Sequence, residues 1–207
     1  MKKLLTALCF IGLMAFSANQ ANAQTGIKGG LNLANVKYDV SAMGFSMDET
    51  TDMRIGFHAG VFTNLALNDM LSIQLEALYT IKGSKEEEEF FGDTFEIETE
   101  LAFVEVPVLL RFNVPIDGDT RPYLLAGGHV GYLLDATESE DGQSIDISDE
   151  LNEINFGASF GAGVSFGSFF IEGRYDLGLA NLADVDMPDA DFKATANAIM
   201  FSGGVQF

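Results

Sequence analysis

Apolar residues recur at every second position in eight separate segments of this chain, each about ten residues long. A period of two is the spacing of a β-strand, whose successive side chains point to opposite faces. In every segment the face opposite the apolar one carries glycine, small, polar or charged residues. The segments are 27–33, 54–63, 71–82, 103–112, 124–132, 155–166, 171–179 and 199–207. The sequence therefore predicts an all-β, eight-stranded antiparallel protein.

The connections between these segments alternate in length. Long stretches, roughly 39–53, 83–97, 135–154 and 180–193, follow the first, third, fifth and seventh segments, whereas the links near 67–70, 115–120 and 167–168 are short. Long loops at one end and tight turns at the other are typical of outer-membrane barrels. We expect an up-and-down transmembrane β-barrel with long extracellular loops, short periplasmic turns and both termini in the periplasm.

The charge lies mainly in the long connections. The chain has 31 acidic and 11 basic residues, and the four long connections hold 22 of the acidic ones. So acidic a chain is not expected to bind nucleic acid, which requires clustered Lys and Arg. We interpret these acidic connections mainly as a solvated surface. The alternatives are contacts with an extracellular protein or a divalent cation. The best cation candidate is Asp184, Asp186, Asp189 and Asp191, which lacks the spacing of an EF-hand. No cofactor is expected.

The first 23 residues have the pattern of a cleaved secretory signal peptide. A basic start precedes an apolar run over 4–16, and Ala21 and Ala23 give a small-x-small cleavage pattern that leaves Gln24 as the first mature residue. The run is too short to span a membrane. We expect a signal peptide over 1–23, a barrel domain over 24–207, and export to the outer membrane of a Gram-negative bacterium.

A soluble, lipid-carrying barrel of the lipocalin kind would show the same alternation, with its apolar face turned inward. Two features favour the membrane. The face opposite the apolar one suits a narrow, packed lumen, and the last strand ends on an aromatic residue. Phe201, Gly203, Val205 and Phe207 form the kind of terminal strand that the barrel-insertion machinery recognises.

Several segments resemble a known family. These are 26–34, 56–62, 71–79, 104–112, 121–127 and 173–182. Together they resemble the PorT-like outer-membrane β-barrel family of Bacteroidetes, over essentially the whole mature chain. The resemblance implies an eight-stranded barrel in contact with outer-membrane lipid. It implies no particular activity, and the role of the namesake members in secretion does not transfer.

The inward face carries charges that we expect to form an ion-pair network. Counted from the turns, Glu76 and Glu105 fall at similar height, and Arg174 lies near both. The predicted network comprises Lys28, Glu76, Glu105, Arg111, Glu172, Arg174 and Asp176. Cations between buried carboxylates relieve their repulsion, and an eight-stranded barrel is narrow enough for side chains to fill.

No catalytic set is evident in the sequence. The two histidines, His58 and His129, are expected to be hydrogen-bonding groups in the lumen. We therefore predict a non-enzymatic outer-membrane barrel with a structural or interaction role and a plugged lumen. The first alternative is a small porin-like channel, and the second is a soluble periplasmic lipid carrier.

Overall fold

A computed structural model describes residues 23–42, 45–90, 93–116, 118–140, 143–183 and 190–207. It contains ten β-strands and one turn of 3-10 helix, Ser148–Glu150. The strands are β1 Ala23–Ala42, β2 Phe45–Thr50, β3 Asp52–Ala66, β4 Leu71–Phe90, β5 Asp93–Asn113, β6 Thr120–Glu140, β7 Gln143–Asp146, β8 Ile154–Phe166, β9 Phe169–Gly178 and β10 Ala190–Gln206. Among the described residues, no helix is both long and apolar enough to cross a membrane.

Eight of the ten strands form a closed antiparallel ring. Its order is β1, β3, β4, β5, β6, β8, β9 and β10, and β10 pairs with β1 to close it. The closing pair runs from Gly26 opposite Gln206 to Ala42 opposite Ala190. The predicted eight-stranded up-and-down barrel is confirmed. The two extra strands lie outside the ring, with β2 paired to β1 and β7 paired to β6.

Three short connections lie at one end of the barrel, together with the first and last described residues; we call this the turn end and the opposite one the loop end. The β3–β4 turn is held by Asn68, whose side-chain oxygen accepts hydrogen bonds from the backbone N–H groups of Met70 and Leu71, both at 2.9 Å. The β8–β9 turn needs glycine, because Gly167 has a φ of 60°.

The predicted loops are shorter in the structure than in the sequence analysis. Much of 83–97 is a hairpin that continues β4 and β5, 39–53 contains β2, and 135–154 contains the end of β6, β7 and the 3-10 turn. Alternating hydrophobicity marks a strand only where one face meets an apolar environment. Beyond that zone the strict alternation of apolar and polar residues is lost, so hydrogen-bonded strands continue without the signal.

The apolar face of the ring points outward and the polar face inward. Ile171, Leu31 and Phe201 are 58%, 58% and 55% exposed, whereas their inward neighbours Glu172 and Asn32 are 4% and 0% exposed. An outward apolar belt around a polar interior is the arrangement of a transmembrane barrel, and it is the reverse of a lipid carrier's interior.

Candidate functional site in the barrel lumen

Buried ion pairs cross the lumen at its centre. Lys28 Nζ, on β1, lies 3.0 Å from Glu76 Oε1 on β4 and 2.7 Å from Glu172 Oε1 on β9. Arg174 Nη1, on β9, lies 2.8 Å from Glu76 Oε2. These side chains come from strands separated around the ring, so their contacts tie opposite walls together.

A second group of ion pairs lies nearer the loop end. Lys82 Nζ is 2.7 Å from Glu105 Oε1 and 3.7 Å from Asp176 Oδ2. Asp176 also joins the first group, because its Oδ1 is 3.1 Å from Arg174 Nε. The two groups therefore form one connected network.

The lumen as a whole is balanced in charge. The buried charged side chains of the described residues are four cations and four carboxylates, with the histidines counted as neutral: Lys28, Lys82, Arg111 and Arg174 against Glu76, Glu105, Glu172 and Asp176. Removing charges from water is costly, and the cost is offset only when each has a partner in good geometry. Equal numbers of both signs make that pairing possible here.

The structure places all seven predicted network residues in the lumen. The contacts of two of them, Glu105 and Arg111, differ from the prediction. Glu105 is paired with Lys82 rather than with Arg174, because β5 is offset along β4: Glu105 lies opposite Leu78, two residues beyond Glu76. Among the described residues, no carboxylate lies within ion-pair distance of Arg111.

Arg111 instead contacts neutral groups. Its guanidinium lies 3.6 Å from the centroid of the Tyr123 ring, and its Nη1 donates to Gln74 Oε1 at 3.3 Å. The Tyr123 hydroxyl donates to Glu172 Oε2 at 3.1 Å, which connects Arg111 to the network through the ring. Gly163 makes room for this ring, since a Cβ there would overlap Tyr123.

Sequence reasoning missed Lys82 and Tyr123. Lys82 shares the inward parity of Glu76 on the same strand, so its position on the lumen side was readable from the alternation. Its partner was not, because pairing with Glu105 depends on the register between strands. Tyr123 has inward parity too, but nothing in the sequence indicates its contact with Arg111.

Both histidines are buried hydrogen-bonding groups. His58 contacts Asn32 Oδ1 through Nδ1 at 2.7 Å and Ser202 Oγ through Nε2 at 2.8 Å. His129 Nδ1 lies 2.9 Å from Ser159 Oγ, and that hydroxyl donates to Asp176 Oδ1 at 2.6 Å. With His58 and His129 only 1% and 4% exposed, neither is open to a substrate in this structure.

An apolar cluster fills the loop end of the lumen. Its buried members come from β1, β5, β6, β10 and the segment after β9: Val36, Leu101, Phe103, Leu133, Ala136, Leu182, Ala183, Ala194 and Ala196. Leu182 and Ala183 belong to a connection that folds inward, where the Leu182 N–H donates to Ala194 O at 2.8 Å. Within the described ranges, packed apolar side chains occupy this end.

The turn end, in contrast, opens into a cavity of about 970 Å³, which we call the vestibule. Its lining includes Asn64, Arg111, Arg121 and Gln206. Along its axis the lumen thus has an open vestibule, a charged middle and an apolar closure.

Some predicted features cannot be placed. Asp184, Asp186 and Asp189 lie outside the described residues, as do the side chain of Asp191 and the segment 1–22. Within the described ranges, no group of acidic, histidine or cysteine side chains has a metal-binding arrangement. Phe201, Gly203, Val205 and Phe207 lie at the end of the chain on or just after β10, and Phe201 and Phe207 are exposed.

The closed ring, its outward apolar belt and its polar interior define a small membrane β-barrel. Residues 17–184 match the family model of the outer membrane protein beta-barrel domain, and this chain belongs to that family. The match covers β1 to β9, and β10 follows it to close the ring. The chain is an outer-membrane β-barrel protein.

Several solved structures are similar to this chain over most of their length. Ail, the attachment invasion locus protein of Yersinia pestis, is 17% identical over 90% of this chain and 99% of that chain, with a TM-score of 0.40. The Neisserial surface protein A, NspA, is 12% identical over 88% and 97%, with a TM-score of 0.45. The N-terminal barrel of OprF from Pseudomonas aeruginosa is 12% identical over 86% and 99%, with a TM-score of 0.38. No curated protein matches this chain significantly.

Proposed function

We propose that this protein is a non-conducting, non-enzymatic barrel that has a structural or interaction role in the outer membrane. The observation that carries the proposal is the filled lumen. A network of buried ion pairs crosses its middle, and an apolar cluster occupies its loop end. A solute moving through would have to break buried ion pairs, each costly to separate, and then displace packed apolar side chains.

We propose that the turn end faces the periplasm and the loop end faces outward, since outer-membrane barrels carry their short turns on the periplasmic side. A signal peptide removed after Ala23 leaves Gln24 as the first residue, next to the start of β1. In this proposal Phe201, Gly203, Val205 and Phe207 serve as the insertion signal. Membership of the PorT-like group of Bacteroidetes rests on the sequence resemblance described above.

Interaction is the function that this architecture leaves open. With the lumen filled, the surfaces that can reach partners are the two ends. The loop end is acidic and extends above the apolar belt through β2, β7 and the β4–β5 hairpin. It also exposes apolar side chains, including Phe45 and Met47, which are 83% and 70% exposed. We propose that this end contacts an extracellular protein or divalent cations.

The two alternatives fit the described residues less well. A channel needs a polar path through the lumen, and the buried cluster around Phe103 and Leu182 blocks it. A lipid carrier needs an apolar inner lining, whereas the inward side chains at the barrel centre are charged, such as Glu76 and Arg174.

The decisive experiment is single-channel recording in a planar bilayer, with protein purified from the outer membranes of cells that express the full chain. Its mobility on a gel before and after boiling shows that it is folded, and its N-terminal mass tests cleavage after Ala23. We expect stable insertion without conductance steps. Steady openings whose size changes in Glu105→Gln or Arg174→Gln would contradict the proposal and establish a channel.

A further inference from the structure

The vestibule contains buried polar groups without partners. Asn64 is 6% exposed and lines the cavity, yet neither its side-chain oxygen nor its nitrogen has a hydrogen bond. Gln206, also 6% exposed and on the lining, donates through Nε2 to Gly167 O at 3.3 Å and leaves Oε1 unpaired. Buried amides are normally satisfied, so each such group calls for an explanation.

One of these unpaired groups, the amide of Asn64, lies close to a buried arginine. Asn64 is opposite Gln74 in the β3–β4 register, and Gln74 accepts a hydrogen bond from Arg111. Arg111 is 5% exposed and lines the vestibule. Of its five N–H donors, one is used by Asn113 at 3.0 Å and one by Gln74 at 3.3 Å within the described part of the chain.

The position of the charges favours an anionic group at the floor of the vestibule. The lining has two arginines and two aspartates, but Asp69 and Asp119 are exposed on the turns at the rim, whereas Arg111 is buried. A guanidinium fork binds a carboxylate through paired N–H groups. Its contact with the Tyr123 ring and its hydrogen bonds to Asn113 and Gln74 restrict the guanidinium, so little side-chain freedom is lost on binding.

The unpaired amides add a second requirement for the ligand. Because they include both donors and acceptors, the ligand must both accept and donate hydrogen bonds. Asn64 Nδ2 can donate, and Asn64 Oδ1 and Gln206 Oε1 can accept. A peptide group offers the complementary carbonyl and N–H. A simple carboxylate such as acetate would satisfy Arg111 and leave the acceptors unpaired, at the cost of buried polar groups without partners.

We propose that the vestibule binds the carboxyl-terminal end of a peptide, with the terminal carboxylate on Arg111 and a peptide group on Asn64 and Gln206. A volume of about 970 Å³ is enough for a few residues. The cavity is lined by residues of the turn end, so its ligand enters from that side, and binding is independent of whether the lumen conducts.

The test is a titration of ¹⁵N-labelled full-length protein in detergent micelles, observed through the side-chain amide signals of Asn64. The probes are N-acetyl-dialanine, the same compound with a C-terminal amide, and acetate. We expect a saturable shift with N-acetyl-dialanine and at least tenfold weaker binding of the other two. Equal binding of the amide, or no saturation with any probe, would overturn the site. Acetate that binds as tightly as N-acetyl-dialanine would overturn the peptide assignment.

Asn64→Asp places a negative charge beside the carboxylate with little change of shape. It should weaken the binding of N-acetyl-dialanine at least tenfold, as read from the side-chain amide signals of Gln206. Gln206→Glu places a negative charge in the vestibule from another strand, and its effect on binding is read from the Asn64 signals. If one of the two variants does not fold, the other still tests the proposal. The matched control is Asn155→Asp. Asn155 is a buried amide without hydrogen bonds, like Asn64, but it is not part of the vestibule lining. Weakening of equal size in Asn155→Asp would refute the location.

Discussion

Replacing Lys82 with methionine removes the only cation within ion-pair distance of Glu105 among the described residues. The second oxygen of that carboxylate, Oε2, already lacks a hydrogen bond, so the variant leaves a fully buried carboxylate with no partner. Removing one member of a buried pair costs about 3–5 kcal/mol. We expect Lys82→Met to reduce the free energy of unfolding by that amount. The double variant Lys82→Met/Glu105→Gln should recover most of it, because both charges are then absent.

The assay is urea unfolding in lipid vesicles, followed by circular dichroism and by the gel mobility of unboiled samples, since the chain has no tryptophan to report by fluorescence. The matched control is Lys85→Met on the same strand. Lys85 pairs with Glu96 at 2.7 Å, but the two side chains are 30% and 49% exposed, and such pairs contribute about 1 kcal/mol or less. A Lys82→Met effect no larger than the control, or a double variant as unstable as the single, would refute the reasoning.

Two further predictions concern local packing and pH. Gly163→Ala should destabilise the barrel by about 1–3 kcal/mol because its Cβ would overlap the Tyr123 ring; Gly173→Ala, with nothing within 4 Å of the new Cβ, should be nearly neutral in the same urea titration. At the loop end, the hydrogen bond from the Ser148 backbone N–H lowers the pKa of Asp146 below the ordinary aspartate value. Because the folded-state pKa is lowered, this turn is fully stabilised above the ordinary value and loses stabilisation as pH falls through the lowered one. An NMR titration of Asp146 that gives an ordinary midpoint would contradict this.

Much of the fold was predictable because strand parity is a local property. The apolar positions of 171–179 alternate with Glu172, Arg174 and Asp176, and a strand must place these two sets on opposite faces. Parity alone does not say which set of residues faces inward. In a narrow membrane barrel the charged set faces the lumen and the apolar set faces the lipid, and the sequence favours that arrangement. The outward position of Ile171 confirms that choice.

The extent of the strands was less predictable. The acidic stretch after Lys85 has no alternation and is typical of a loop. The backbone nevertheless continues as a hairpin, in which Lys85 on β4 lies opposite Glu98 on β5. Backbone hydrogen bonds between neighbouring strands do not require an apolar face, so the hydrophobic signal ends before the strand does.

The sequence by itself determined the eight strands of the ring and which residues share a face of each strand, because both follow from spacing along one segment. Only the tertiary structure decided which charges meet. Glu105 pairs with Lys82 and not with Arg174, and Arg111 lies on Tyr123 beside an open vestibule. Those contacts depend on the register between strands, such as the one that sets Glu105 opposite Leu78. A shift of one or two residues exchanges the partner of every side chain beyond it, and no single segment of the sequence records it.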